Sequence, residues 1–246
     1  MDLFEKAADI IIRSKYTIAL TGAGISVESG IPDFRSKGGL WTKYDPSEYA
    51  TIEAFRSDPE KVWKMIKEVD DLMEKAQPNK AHIGLAELEK MGLLQGIITQ
   101  NVDCLHQKAG SSNVVEFHGS SKTLSCLWCG RRYEKEEKKG EYPPRCICGK
   151  ILKPDIVFFG EPIPQEAMRK AFQMASKAEA VLIIGTSAVV APANTIPNIA
   201  KQNGAKLIEI NKEKTWLTDS ITDVFLQGNA GDIVSELVER VRRKLS

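Results

Sequence analysis

The chain has 246 residues, 42% of them hydrophobic, enough for one large domain with a full core and an inserted module. Its 34 Lys and Arg against 33 Asp and Glu leave a net charge of +1, so neither direct nucleic-acid binding nor an anionic membrane surface is expected. No apolar run approaches the ~18 residues of a membrane span, and the start, Met1-Asp2-Leu3-Phe4-Glu5-Lys6, lacks the features of a secretory signal, which reads as a cytoplasmic protein.

The periodicity predicts a helix over 2–13, where Leu3, Phe4, Ala7, Ala8, Ile11 and Ile12 share one face. A strand follows at 17–20, and further short apolar runs lie at 96–99, 114–117, 180–184, 206–210 and 224–226. Helical patterns fall at 59–76, 80–91, 164–176, 192–203 and 232–244, several with Pro near the start, where its missing N–H costs little. This alternation predicts the α/β class, a doubly wound parallel sheet covered by helices on both faces. Segments 36–79 and 121–153 break the rhythm and are expected to form a second, smaller domain.

Four of the five cysteines sit in one of those segments, as Cys126-x-x-Cys129 and Cys146-x-Cys148. Four thiolates from two turns suit a closed, structural tetrahedral zinc site with no position left for water. Free thiols are the alternative. The second pair is one residue shorter than the usual knuckle, so its turn is tighter. Cys104 lies apart and is read as a packed side chain.

Polar residues gather at strand ends, where open α/β sheets bind ligands. Gly22-Ala23-Gly24-Ile25-Ser26 follows the first strand, where a helix should begin with its N–H groups open to a pyrophosphate; a tight turn explains a bare Gly-x-Gly equally well. Gly185-Thr186-Ser187 and Asn211 end later strands, at positions suited to ribose and phosphate. Gln100, Asn101 and Asp103 follow another, and only one of them is explained as the cap of a helix holding Leu105 and His106. Of the three histidines, His82 and His106 fall in helical patterns, which leaves His118 as the candidate general base.

With those motifs in place, the chain resembles the sirtuins, NAD-dependent protein-lysine deacylases, over about residues 8–238. The resemblance is carried by Gly22-Ala23-Gly24-Ile25-Ser26, Gly30-Ile31-Pro32-Asp33-Phe34-Arg35, Thr99-Gln100-Asn101-Val102-Asp103, His118-Gly119, the four cysteines, Lys153-Pro154-Asp155-Ile156-Val157-Phe158-Phe159-Gly160-Glu161 and Gly185-Thr186-Ser187. It implies a Rossmann-like NAD-binding domain made of 1–35, 80–120 and 154–246, with a helical module at 36–79 and a zinc ribbon at 121–153. It also implies an NAD site of Gly22, Ala23, Ser26, Asp33, Phe34, Arg35, Gln100, Asn101, Val102, Asp103, His118, Gly185, Thr186, Ser187, Asn211, Lys212 and Ala230. Catalysis would fall to His118 and Asn101, and structural zinc to Cys126, Cys129, Cys146 and Cys148.

The implied partners are acetylated-lysine proteins or peptides, lying as a strand along Val157, Phe159, Gly160, Glu161 and Val189. The implied activity is deacetylation that yields nicotinamide, O-acetyl-ADP-ribose and free lysine; ADP-ribosyl transfer and removal of longer neutral acyl groups are the alternatives. Relatives that prefer acidic acyl groups carry a Tyr and an Arg in the helical module, and residues 57–76 contain neither. Ala188 and Ala191 stand where the family often has Leu and Tyr.

Overall fold

The computed structural model describes residues 2–245. Helix α1 (Leu3–Arg13) starts where the Asp2 side chain accepts the Phe4 N–H, and β1 (Thr17–Thr21) follows it. Then come α2 (Pro46–Tyr49), α3 (Ile52–Ser57), α4 (Pro59–Lys75), α5 (Lys80–Lys90), β2 (Gly96–Thr99), α6 (Leu105–Lys108) and β3 (Val114–Glu116). Three short strands, β4 (Gly119–Ser125), β5 (Arg132–Glu134) and β6 (Lys153–Ile156), precede α7 (Gln165–Lys177) and β7 (Ala180–Ile184). The chain closes with α8 (Ile196–Gln202), β8 (Lys206–Asn211), β9 (Val224–Gln227) and α9 (Ala230–Leu245).

Six strands pair in parallel in the order β3-β2-β1-β7-β8-β9. Every residue of β1, β2 and β7 is buried, because helices cover both faces. On one face α1, α5 and α9 pack Ile11, Leu85 and Leu237 against Ile97 and Ile208. On the other, α7 and α8 pack Ala171, Met174 and Ile196 against Ile18, Val181 and Leu207. The strand order reverses between β1 and β7, and the loops that follow their carboxyl ends stand where open α/β sheets bind ligands.

A second, antiparallel sheet runs β5-β4-β6. Beside it Leu124, Cys126 and Leu152 form a core with Phe55, Trp63 and Ile66 of α3 and α4, which makes one small layer. The Trp63 indole N–H donates to the Leu152 carbonyl at 2.8 Å across that seam. Ile31, Met73, Ala76 and Leu105 join this layer to the parallel sheet.

The predicted strands and long helices agree with the structure to within about three residues. Differences lie at irregular backbone. The segment after the glycine turn, Ala23–Ser29, is a 3₁₀ helix ending at Gly30 in the left-handed region (φ 86°), not the expected α-helix. The helix expected over 192–203 divides into a 3₁₀ turn, Ala193–Thr195, and α8.

Candidate active site

Beside β1 and β7 the backbones approach closely enough to dictate residue type. The Gly24 N–H donates to the Gly185 carbonyl at 2.8 Å, and the Gly22 N–H to the Ile184 carbonyl at 3.1 Å. A Cβ on Gly24 would lie 2.7 Å from the Gly185 Cα, and one on Gly22 2.8 Å from the Thr186 Cβ. The glycines therefore serve the close contact of two loops. The Gly22 and Gly24 N–H groups are both taken up in that contact.

Around that contact lies a connected polar cluster. Ser26 Oγ donates to Asp103 Oδ2 at 2.7 Å and accepts from Asn101 Nδ2 at 3.1 Å. The same Asn101 amide reaches the Gly22 carbonyl at 3.2 Å. Asp103 Oδ1 accepts the Leu105 N–H at 2.9 Å, so Asp103 does brace the start of α6, while its second oxygen is committed to Ser26. Gln100 Nε2 donates to Thr186 Oγ1 at 3.0 Å, Asn211 Nδ2 to the Thr186 carbonyl at 3.0 Å, and the Arg35 guanidinium to Ser187 Oγ at 3.0 Å. Four strand ends are thus tied into one polar rim.

His118 follows β3 and closes the rim. Its Nδ1 lies 3.1 Å from the Gln100 carbonyl; a carbonyl only accepts, so Nδ1 carries the proton and Nε2 keeps a free lone pair. Burial pushes its pKa below the usual 6.5, opposed by the Gln100 carbonyl, which favours the imidazolium. The ring is neutral and basic at neutral pH.

The other two histidines differ. Burial takes His82 down to about 4 and His106 down to about 3. His82 Nδ1 accepts the Asn79 N–H at the start of α5, and His106 Nε2 bonds Thr21 Oγ1 at 2.9 Å. Both are buried in helices and neither lines the cavity on which His118 opens.

The polar rim and His118 face one cavity of about 760 Å³, and it takes in every residue of the expected NAD site. Val157, Phe159, Gly160 and Glu161 line it too; Val189 is half-exposed outside it, and Val190 takes that place. Sequence reading did not find the apolar inner wall, Ile31, Leu40, Met65, Ile66, Val69 and Met73. The only signal was a surplus of apolar residues on α4, which serve the small core and the cavity together. Asp70 on the same helix also lines the cavity, paired to Lys135 at 2.9 Å, and burial raises its carboxyl pKa.

The four cysteine sulfurs lie within 4.8 Å of one another, with Cys126–Cys148 at 3.6 Å and Cys129–Cys146 at 3.4 Å. Zinc–sulfur bonds of about 2.3 Å in a tetrahedron put sulfurs about 3.8 Å apart, so the cluster fits zinc. In the longer knuckle, the Trp128 and Cys129 N–H groups both serve Cys126. In the shorter one, Cys146 receives the Cys148 N–H and the Tyr133 hydroxyl, which pull its thiol down to about 6. Tyr133 Oη lies 3.3 Å from that sulfur and accepts the Ile147 N–H. A side chain supplies the donor that the shortened turn lacks.

Comparison with known proteins finds relatives along most of the chain. Residues 22–192 match the model of the Sir2 family. The "NAD-dependent protein deacylase 2" of Pyrobaculum aerophilum is 50% identical over 97% of this chain and 96% of its own length. A Sir2 homologue mutant solved with 2'-O-acetyl ADP ribose superposes with a TM-score of 0.93 at 48% identity, covering 100% of this chain and 98% of that one. A Sir2 protein solved with a myristoylated histone peptide gives 0.85 at 40% identity, over 99% and 98%.

Proposed function

The chain belongs to the Sir2 family, and from that premise we propose that it is an NAD-dependent protein-lysine deacetylase. The parallel-sheet part (1–35, 80–120, 154–246) is the NAD domain, and the cysteine ribbon with its helical module completes the cleft. The observation that carries the reading is His118, a neutral imidazole with Nε2 free at a cavity that also holds the Ser26–Asn101–Asp103 cluster.

NAD would supply an anomeric carbon bearing a cationic leaving group, so that with the acetyl-lysine amide and one water the products are nicotinamide, O-acetyl-ADP-ribose and free lysine. This chain's residues do the rest. Phe34, whose ring lies 5.0 Å from that of Trp41 and tilted by 33°, covers the reacting end beside Ala23, Asp33 and Arg35. Asn101, Val102 and Asp103 line the nicotinamide side and Gln100 the ribose. Gly185, Thr186, Ser187, Asn211, Lys212 and Ala230 take the adenosine side. His118 Nε2 accepts a proton relayed by the ribose hydroxyls, as a general base. Four thiolates hold zinc as a structural ion away from the chemistry.

The peptide lies as an added strand along residues 157–161, through backbone hydrogen bonds. The inner wall favours acyl groups longer than acetyl as a second substrate class, since Ile66 and Val69 offer apolar surface there. Residues 57–76 offer neither the Arg nor the Tyr that an acidic acyl group would need there. The setting is the cytoplasm; among the described residues, no helix is long and apolar enough to cross a membrane.

Mass spectrometry of an acetyl-lysine peptide incubated with and without NAD tests this. Acetyl loss that requires NAD and yields O-acetyl-ADP-ribose is expected. An intact peptide with NAD consumed would favour ADP-ribosyl transfer.

A further inference from the structure

Lys153 is charged, yet its side chain is only 6% exposed. Its ammonium sits 4.4 Å from the Phe158 ring centroid and donates to the Ile156 carbonyl at 2.7 Å, the Pro154 carbonyl at 3.1 Å and Glu161 Oε2 at 2.8 Å. All three N–H donors are spoken for. The same Glu161 oxygen accepts the Phe158 N–H at 2.9 Å, and the Glu161 N–H returns to the Phe158 carbonyl at 3.0 Å. Gly160, in the left-handed region at φ 87°, makes that turn possible. Nothing in the deacetylation chemistry uses this buried ion pair, and a buried pair is weak evidence of stabilisation by itself.

Its placement gives it a task. The Val157 N–H donates to the His118 carbonyl, the Phe159 N–H to Ala50, and the Phe159 carbonyl accepts from Ile52. Among the described residues, the Val157 carbonyl and the Gly160 N–H have no intramolecular partner, and both residues line the cavity. A peptide unit is planar and trans, so its C=O and N–H point in opposite directions. Anchoring the Phe158 N–H on Glu161 therefore aims the Val157 C=O the other way. Anchoring the Phe159 C=O on Ile52 likewise aims the Gly160 N–H. The acceptor and the donor open to an incoming strand are each set by a hydrogen bond on the hidden side of their own peptide plane.

We propose that Lys153 and Glu161 are positioning residues for the acyl-lysine peptide: Lys153 holds the Glu161 carboxylate, the carboxylate holds the Phe158 N–H, and the Val157 carbonyl is thereby fixed for strand addition. Glu161 acts through the backbone and not as a side-chain contact to the peptide. The inference rests on the peptide lying along 157–161, as proposed above.

The test compares wild type with Glu161→Ala, Glu161→Gln and Lys153→Met in steady-state deacetylation, with NAD affinity measured separately by calorimetry. Glu161 is partly exposed, so its variants keep the experiment decisive if Lys153→Met does not fold. Losing a charge-assisted hydrogen bond that orients a binding group should raise the peptide KM about tenfold in Glu161→Ala. Glu161→Gln, which keeps an oxygen for the Phe158 N–H, should fall between it and wild type, and NAD affinity should stay within about twofold. An unchanged peptide KM in Glu161→Ala overturns the proposal, as does a parallel loss of NAD affinity, which would make the pair merely structural. A wild type unable to process the peptide at all overturns the deacetylase reading instead.

Discussion

His118→Asn separates the proton acceptor from everything else at the site. Asparagine can still donate to the Gln100 carbonyl, 3.1 Å from the present Nδ1, so the loop has a reason to keep its shape, but no basic nitrogen remains. A positioned general base contributes about 10²–10⁴ in rate, or about 3–5 kcal/mol of barrier, and kcat/KM should fall by that factor while zinc content and melting temperature hold. The pH profile sharpens the test. Burial, the larger influence, lowers the His118 pKa below 6.5, so the wild-type kcat/KM should be level at neutral pH and fall only on acidification through that lowered value. The variant should lose this acid limb. Measuring kcat/KM for an acetyl-lysine peptide from about pH 5 to about pH 9 decides it. The reasoning is refuted if the limb survives unchanged in His118→Asn, or if its wild-type midpoint lies above 6.5.

Other consequences follow from the same geometry. His82 and His106 have folded pKa values of about 4 and about 3, below their ordinary 6.5. The unfolded chain therefore binds more protons in that interval, and stability, complete above 6.5, drops by about 1.4 kcal/mol per pH unit per histidine on acidification; denaturant melts at pH 7 and pH 5 should show it. Tyr133→Phe should leave the fold intact but speed zinc transfer to a chromogenic chelator, by the loss of a hydrogen bond to a charged sulfur worth about 1.5–3 kcal/mol. Gly24→Ala drives a Cβ to 2.7 Å from the Gly185 Cα and should cost about 1–3 kcal/mol, with melting temperature and NAD affinity falling together; a normal affinity would show that the loop contact does not shape the site.

How much of this was legible depends on how local the determining forces are. Strands β2 and β7 announce themselves as uninterrupted apolar runs because both faces are buried. Helix α4 is marked by Asp58, whose side chain accepts the Lys61 N–H, and by Pro59 in its first turn. Strands β4 and β5 read as polar loops, since each has few buried positions and exists by pairing with its neighbours. Helices α2 and α3 are too short to show a period. The polar rim was legible because its members stand at strand ends. Met65 and Val69 were not, since a residue shared by a core and a cavity carries the same apolar signature as one buried in the core alone.

The step from β3 into β4 has a mechanical meaning. Gly119 stands at φ 78°, and a Cβ there would meet the Asp155 carbonyl at 2.1 Å; one residue earlier, the His118 carbonyl holds the Val157 N–H at 2.8 Å. Two of the strands passing between the large sheet and the small one are thus laced together at the imidazole-bearing residue. The joint between the layers passes through His118, so a wedge driven between them, including a small molecule seated beside Val157, would displace the imidazole as well.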